Sequence, residues 1–237
     1  MISRKGTITM RTQKIRWFAW PLLLAAAVLF WGCQHDDQTI SQDTIVGSGV
    51  IVSQQRTPGT FTGIRIVGVA KVCIRQDSAD SLRIEADDNI IERVTSTVSQ
   101  GVLIVGLTNG SYSNVTVNVY ATMTIIHSLE INGSGDIVTT SPIQSDNVTC
   151  SIAGAGSITL NGVTTHETVT IAGAGSIHNF GLTSSQCSAS IVGTGSIEVH
   201  ASRQLDALIA GVGTITYAGN PTIVNSTMTG VGTIQPK

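Results

Sequence analysis

Charged and aromatic side chains are scarce in this sequence of 237 residues. Asp, Glu, Lys and Arg make up 12% of it, and Phe, Trp and Tyr make up 4%. Ser, Thr, Val and Ile dominate beside 25 glycines, and this mixture favours strands and tight turns over helices. A low charge alone would fit disorder, but the regular alternation of Ile and Val with Ser and Thr indicates a packed fold.

Cysteine is too rare and too irregularly spaced for a disulfide framework or a zinc site. Apart from Cys33 there are three cysteines, with no Cys-x-x-Cys pair: Cys73, Cys150 and Cys187. Cys150 and Cys187 lie within apolar alternation, which favours buried free thiols. A bridge between these two remains an alternative in an oxidising compartment.

The first 33 residues are typical of an export signal. Five basic residues precede an uncharged run from 17 to 33, and Met10 is an alternative start that leaves a signal of ordinary length. The run ends in Gly-Cys, which resembles the lipobox of bacterial lipoproteins, where the Cys becomes the lipidated first residue. We therefore predict a signal peptide over 1–33 and lipidation of Cys33.

Two other interpretations of this segment stay open. One is a transmembrane anchor, for which about 15 apolar residues are short, because a bilayer-crossing helix needs about 20. The other is a cleaved signal with an incidental Cys, since Phe30 and Trp31 stand where the lipobox usually has Leu and a small residue.

The chain after residue 33 is acidic. It holds 8 basic and 15 acidic residues, a formal net charge of −7, and no basic or aromatic cluster that would bind nucleic acid. The sequence QHDDQ (34–38) resembles the export tag of some Bacteroidetes lipoproteins, and otherwise belongs to a polar tether, 34–46. We expect an exported outer-membrane lipoprotein attached to the membrane through Cys33. If 34–38 acts as the export tag, the protein is displayed on the cell surface.

A motif with two glycines recurs six times in the second half. Each copy reads apolar-x-Gly-x-Gly-polar-Ile, and successive copies are 18 to 21 residues apart. Such a period is typical of stacked coils. The predicted turn glycines are Gly133, Gly135, Gly154, Gly156, Gly173, Gly175, Gly193, Gly195, Gly211, Gly213, Gly230 and Gly232.

Apolar residues hold the same two places in every copy and predict two buried ladders. The alternation on either side of each glycine pair is typical of strands with one buried face, joined by a bend at the glycines. The predicted fold is an all-β, single-stranded β-helix or solenoid with coils of about 20 residues, after an N-terminal signal helix. The ladders are Ile131, Ile152, Ile171, Ile191, Ile209 and Met228, and Ile137, Ile158, Ile177, Ile197, Ile215 and Ile234.

Residues 47–130 alternate in a degenerate form of the same pattern. GVAKV at 68–72 resembles a worn copy of the motif, which puts Val72 inside and Cys73 outside, and 87–94 predicts a short helical turn. No Gly, Pro or Ser linker separates this region from the repeats. We therefore predict one domain over 47–237, with strands in 47–130 and the repeats in 131–237.

The glycine pairs are not typical of a ligand site. A Rossmann turn needs a third glycine and a following helix, and a P-loop needs Gly-Lys-Ser/Thr; neither occurs. Calcium β-rolls use a repeated Asp, but only the first copy has one, Asp136. We predict no nucleotide, metal or other cofactor.

Groups for catalysis are sparse. The carboxylates of the repeats share no repeat position, and Arg203 is the sole basic residue within 131–236. The carboxylates between residues 77 and 92 are interleaved with arginines, which is typical of a solvated surface with ion pairs. We predict no catalytic residue, and a β-helix enzyme acting on polysaccharide is the third functional alternative.

Several stretches together resemble the "putative auto-transporter adhesin" family with a head GIN domain. They are GSGVIVSQQRTPGTFTGIRIVGVAKVCIRQ, LRIEADDNIIERV, LEINGSGDI, the later GxG[ST]I units and YAGNPTIVNSTMTGVGTI, in order from about residue 47. The resemblance implies a right-handed β-helix on an exported protein, often a lipoprotein. It also implies a non-enzymatic adhesin for a glycan or protein, the alternative being a structural or sensory envelope lipoprotein.

Overall fold

The structure is a computed structural model that describes residues 43–237, and it consists of strands with one short 3-10 turn. The predicted signal peptide, Cys33 and most of the predicted tether lie outside the described residues. Within 43–237, no helix has the length and apolar character needed to span a bilayer. The strands are β1 Ile45–Val46, β2 Ile51–Arg56, β3 Gly63–Ile66, β4 Val69–Gln76, β5 Ser81–Asp87, β6 Val94–Ser99, β7 Val102–Leu107, β8 Tyr112–Ser113, β9 Val117–Met123, β10 Ser128–Ile131, β11 Ser134–Thr139, β12 Ile143–Ile152, β13 Ala155–Ile171, β14 Ala174–Ile191, β15 Thr194–Ile209, β16 Val212–Ala218, β17 Ile223–Met228 and β18 Val231–Pro236; the 3-10 turn is Ile91–Arg93.

The strands wind into a solenoid of parallel coils, which confirms the predicted all-β solenoid. β13, β14 and β15 each run through nearly one coil and pair in parallel with the next strand along the chain. The register aligns equal positions of the repeat, since Ile158 pairs with Ile177 and Ile177 pairs with Ile197. Each position of the repeat therefore forms a column along the solenoid.

The N-terminal half enters the solenoid out of sequence order. β3 lies between β7 and β10, and β4 lies between β9 and β11, with all four pairings parallel. The coil of β7 and β9 is therefore the first of the stack, and the coil of β3 and β4, earlier in sequence, is the second. Alternation predicts strands in this region but contains no information about the order in which they stack.

Antiparallel strands close the N-terminal end of the solenoid. β5 pairs with β9, β2 pairs with β5, and β6 pairs with β7, all antiparallel. Arg56, the last residue of β2, links these strands to the 3-10 turn. Its guanidinium donates to the backbone carbonyls of Ile91 (3.0 Å) and Val94 (2.6 Å) and to the Ser96 hydroxyl (3.0 Å).

Two columns of apolar side chains fill the interior. The first contains the ladder residues from Ile131 to Ile209, the second those from Ile137 to Ile215, and all of these are buried. The N-terminal coils extend both columns, for example with Val72, which pairs with Ile137. Burying one Ile side chain contributes roughly 1.5–3 kcal/mol, so these columns are a main source of stability.

The last coil departs from the prediction. Met228, predicted for the first column, is 45% exposed, and Ile234, predicted for the second, is half-buried. Their strands β17 and β18 pair only with β15 and β16, so no described coil covers them on the other side. The assignment of Met228 to the buried core was wrong, because its coil is covered on one side only, whereas Ile234 is partly buried and packs against the core.

The glycine pairs lie where the backbones of successive coils approach most closely. A Cβ at Gly154 would overlap the carbonyl oxygen of Gly133, and a Cβ at Gly156 would overlap that of Gly135. Each later pair would clash in the same way with the pair one coil before it. A positive φ is a lesser reason for glycine at these positions, because within the pairs only Gly135 and Gly156 have one.

Gly193→Ala is expected to lower the free energy of unfolding by about 2–3 kcal/mol, because the new Cβ would force two coils apart. It would meet the backbone carbonyl oxygens of Gly173 and Ala172. The matched control is Ala174→Gly, which changes an exposed corner residue and should cost less than about 1 kcal/mol. Equilibrium urea unfolding measures both, and equal losses in the two variants would contradict this role of the glycines.

Candidate functional site

A groove runs along one side of the solenoid, where loops interrupt the regular coils. It encloses about 1050 Å³. Its walls come from the loop after β9 (124–127), the start of β12 (142–146) and the middle of β13 (161–163), with Gln76 and Asp77 at the end of β4. Residues from four different coils or loops thus line one concave surface.

Local sequence explains why the coils are irregular here. Pro142 cannot donate to a strand ladder, and it stands directly before β12. Gly162 has a φ of 131°, which favours glycine, and the pairing of β13 with β14 shifts register between Thr159 and Asn161. These breaks prevent a flat sheet from forming on this side and leave the groove.

Gln76 holds the groove in shape. Its amide Nε2 donates to the backbone carbonyls of Gln144 (2.9 Å) and Thr124 (3.1 Å), and its Oε1 accepts the N–H of Gln144 (2.7 Å). One side chain therefore joins the loop after β9 to the start of β12. Ser145 adds a second link, because its hydroxyl donates to the carbonyl of Ile126 (2.9 Å).

The charged groups of the groove are mainly acidic. Asp77 accepts the N–H of Ser78 (2.7 Å) and pairs with Arg75, and these two contacts lower the pKa of Asp77. Asp146 is exposed in the same lining, which contains no Lys or Arg among the described residues. The groove is therefore suited to neutral or positively charged ligand groups rather than to anions.

Apolar side chains complete the lining. Val163 is 51% exposed and Ile125 is 46% exposed, although large apolar side chains elsewhere in these coils are mostly buried. Together with Pro142 they give the groove surfaces that exclude water from one side of a bound group. Apolar walls with a few convergent polar groups are the usual composition of a binding site.

Most of the carboxylates in the repeats serve contacts between coils instead of meeting at a site. Asp136 accepts hydrogen bonds from the hydroxyl (2.6 Å) and the N–H (3.1 Å) of Ser157, one coil further on. Glu198 lies 2.8 Å from Nδ1 of His178 in the preceding coil. Asp146 lies in the groove.

The acidic segment 77–92 is mostly a surface with ion pairs, as its sequence indicates. Arg83 pairs with Glu85 on β5. Asp87 differs from the expectation of a solvated surface, because it is 1% exposed. Its carboxylate accepts the N–H groups of Gly49 (2.7 Å) and Thr116 (2.7 Å), so it holds two loops at the N-terminal end.

One carboxylate is enclosed in the solenoid. Glu167 is 1% exposed; its Oε1 accepts a hydrogen bond from the Asn179 amide (2.7 Å), whereas its Oε2 has no hydrogen-bond partner among the described residues. Desolvation raises the pKa of Glu167 to about 7, against the opposing effect of the hydrogen bond from Asn179. Glu167 is therefore largely protonated at mildly acidic pH.

The thiols of Cys150 and Cys187 are free and buried close to Glu167. Burial raises the pKa of both thiols, and the nearby carboxylate of Glu167 raises it further. Cys187 pairs with Glu167, while Cys150 pairs with Val169, so the two cysteines are two coils apart and displaced along the strand. The alternative of a bridge between them was wrong, because coils spaced ~4.8 Å apart put their Cα atoms beyond disulfide range.

Within residues 43–237, no three His, Cys, Asp or Glu side chains lie together as a metal site. None of the twelve turn glycines lines the groove, so the repeated motif and the candidate site occupy different faces of the solenoid.

A family model matches most of the chain. The model described as "Putative auto-transporter adhesin, head GIN domain" matches residues 60–221. The matched range contains the groove and five of the six glycine pairs. No curated protein matches the chain.

One solved structure shares the fold. A "putative adhesin" from Bacteroides fragilis matches with a TM-score of 0.66 at 22% identity, covering 81% of this chain and 100% of that chain. A "putative adhesin" from Parabacteroides merdae matches with a TM-score of 0.49 at 20% identity, covering 82% of this chain and 99% of that chain. At 22% identity, the first likeness shows a common fold and no more.

Proposed function

This chain belongs to the family described as "Putative auto-transporter adhesin, head GIN domain", and from that membership we propose that it is a non-enzymatic adhesin whose groove binds a glycan or a protein partner. The family indicates an exported protein of the cell surface or envelope.

The observation that carries the proposal is the lining of the groove. The side-chain amides of Gln144 and Asn161 are not engaged by other described residues, and amides can donate to and accept from sugar hydroxyls or a peptide backbone. Ile125, Val163 and Pro142 offer apolar surface beside them. Gln76 fixes the backbone on which these groups stand, which limits the entropy lost on binding.

Binding suits this groove better than catalysis. A general acid needs a carboxyl whose pKa is raised towards neutrality, but the contacts of Asp77 with Ser78 and Arg75 lower the pKa of its carboxyl. Glu167, whose pKa is raised, is enclosed in the interior and 1% exposed. Because the charged groups of the groove are mainly acidic, it favours ligands with hydroxyl, amide or amino groups.

A blocking substitution tests the groove. Val163→Trp should fill it and abolish binding of the full-length protein to immobilised neutral and amino-bearing oligosaccharides and matrix proteins, with acidic oligosaccharides unbound by either form. Val192→Trp is the matched control, because Val192 is 55% exposed but lies outside the groove. Binding that survives Val163→Trp, or a wild-type protein that binds no member of the panel, would contradict the proposal.

We place the domain on the outer face of the outer membrane, held by a lipid on Cys33. Protease added to intact cells should then release the domain, and Cys33→Ala should abolish incorporation of labelled fatty acid and release the protein from the membrane. A domain that stays protected in sealed cells would instead favour a structural role inside the envelope.

A further inference from the structure

An irregular stretch of β14 adjoins the groove. The pairing of β14 with β15 shifts register between His178 and Thr183, and at the same level the pairing with β13 shifts between Thr159 and Asn161. Both ladders are therefore interrupted beside residues 179–182, which we call the β14 bulge. Bulges re-aim side chains and are common beside functional sites.

The β14 bulge has one side in the groove and the other in the interior. Gly181 lines the groove beside Asn161, so closely that a Cβ at Gly181 would lie 2.9 Å from the Cβ of Asn161. Asn179, two residues earlier, is 0% exposed, so its side chain is enclosed in the solenoid. A movement of the bulge would therefore change the groove wall and the interior together.

Asn179 connects the groove wall to the buried carboxyl group of Glu167. Its Oδ1 accepts the N–H of Leu160 (3.0 Å), and its Nδ2 donates to Oε1 of Glu167 (2.7 Å). Leu160 lies at the register shift of β13, so Asn179 supplies an acceptor where the ladder is interrupted. The next N–H, of Asn161, donates to the Thr139 hydroxyl (3.1 Å). Side chains inside the solenoid thus hold the backbone of this wall, and one of them depends on Glu167.

The surroundings of Glu167 favour its neutral form. The buried polar residues of the described chain include no Lys, Arg or His, so no buried cation compensates a carboxylate there. The ionisable groups beside it are the thiols of Cys150 on β12 and Cys187 on β14, which stay neutral because burial raises the pKa of both. Asp206 on β15, whose charge also acts on Cys187, is acidic as well. An ionised Glu167 would therefore be an enclosed charge with one unpaired oxygen, which is stabilised only if water reaches it.

We infer that the charge of Glu167 controls the groove: the wall is closed while Glu167 is neutral and opens locally at the β14 bulge when Glu167 is ionised. The opening occurs at the bulge because the ladders on both sides are already interrupted there, so few backbone hydrogen bonds have to break. An opened wall displaces Gly181 and Asn161, and a groove ligand should therefore bind more tightly at acidic than at alkaline pH. For the ligand, this inference rests on the proposed function of the groove.

Hydrogen exchange of the full-length protein in detergent, followed by mass spectrometry, tests the opening without any ligand. The exchange rates of peptides covering 159–163 and 179–182 in the wild type are divided by those in Glu167→Gln at the same pH, which cancels the pH dependence of chemical exchange. This ratio should rise between pH 5 and 8 by at least about tenfold and at most roughly seventyfold, because the pKa of Glu167 is about 7 when enclosed and 4.5 for an ordinary Glu.

Two comparisons separate an opening of the wall from unfolding of the whole solenoid. The N–H groups of Val192 (2.8 Å) and Gly193 (3.0 Å) donate to the carbonyl of Ile171 at a regular corner and serve as the reference. In the wild type at pH 8, the wall should exchange at least about tenfold faster than this reference and should respond less to dilute urea. Asn179→Ala removes the acceptor of the Leu160 N–H, so the wall should exchange at least about fivefold faster than in the wild type already at pH 5.

Binding to the panel of oligosaccharides and matrix proteins shows whether the opening affects the ligand. Between pH 5 and 8 the affinity of the wild type should fall by at least about threefold relative to Glu167→Gln, since only the closed wall binds. His127 also lines the groove, but it is present in both proteins, so the comparison removes any effect of its charge.

An exchange ratio that stays constant from pH 5 to 8 would overturn the inference. A wall that exchanges at the rate of the reference would do so as well, because the carboxylate would then reach water only when the whole solenoid unfolds. An identical pH dependence of affinity in the wild type and Glu167→Gln would overturn the control of binding even where the wall opens. A wild type that binds no member of the panel at either pH would contradict the proposed adhesin function, while hydrogen exchange would still decide whether Glu167 opens the wall.

Discussion

Ile177→Asp is expected to unfold the repeats, with a loss of at least about 4 kcal/mol in the free energy of unfolding. Ile177 is fully buried in the second apolar column, between Ile158 and Ile197. A carboxylate at this place would face apolar neighbours and would lose its hydration without gaining a partner. Loss of the strand signal in circular dichroism, or a large fall in the urea midpoint, measures the effect.

Ser176→Asp, one residue earlier, is the matched control and should change stability by less than about 0.5 kcal/mol. Ser176 lies in the same column as Asp136, and the Asp136 carboxylate accepts a hydrogen bond from the Ser157 hydroxyl of the next coil. The Ser196 hydroxyl, 2.9 Å from the Ser176 hydroxyl, can donate to a carboxylate at 176 in the same manner. Equal effects of the two substitutions would show that the inward and outward sides of this strand are assigned wrongly.

The stability of the solenoid is expected to fall as pH rises through the range in which Glu167 titrates. Its pKa is about 7 in the folded protein against 4.5 for an ordinary Glu, because burial disfavours the charged form. Below about pH 4.5 Glu167 is protonated in both the folded and the unfolded protein, so its titration does not lower the free energy of unfolding. Between 4.5 and 7 the unfolded chain releases the proton more readily, so unfolding becomes easier by about 3 kcal/mol in total, and above pH 7 the cost is constant.

Glu167→Gln should remove this dependence, because an amide is neutral at every pH and its oxygen can still accept from Asn179. Urea unfolding from pH 4 to 8 should show a falling midpoint for the wild type and a nearly level one for the variant. Asp146→Asn, which neutralises an exposed carboxylate, should retain the wild-type slope. A wild-type midpoint that does not fall across this range would contradict the burial of an unpaired carboxylate.

The interior columns could be predicted from sequence because each of their residues repeats a local pattern. Ile152 and Ile171 stand two residues before a glycine pair, and alternation alone assigns both to the inner face. The same alternation also places Glu167 inside, two residues before the buried Val169. The exposure of Met228 could not be predicted in this way, since it depends on what covers the coil.

Features formed between distant segments could not be predicted from one sequence. β3 could pair with any strand of similar pattern, and its place between β7 and β10 depends on the antiparallel strands β5 and β6 that return the chain. The groove joins Gln76 to Gln144 and Asn161, which come much later in the sequence. The only local features of the sequence that accompany the groove are a proline directly before β12 and a glycine near the register shift in β13.

Attachment of cells is the measurement that tests most directly whether the groove carries the function. Cells that display the wild type or Val192→Trp should attach equally to a surface coated with a bound member of the panel. Cells that display Val163→Trp in equal amount should attach no better than cells without the protein. Equal attachment by all three proteins, or a loss specific to Val192→Trp, would contradict the assignment of binding to the groove.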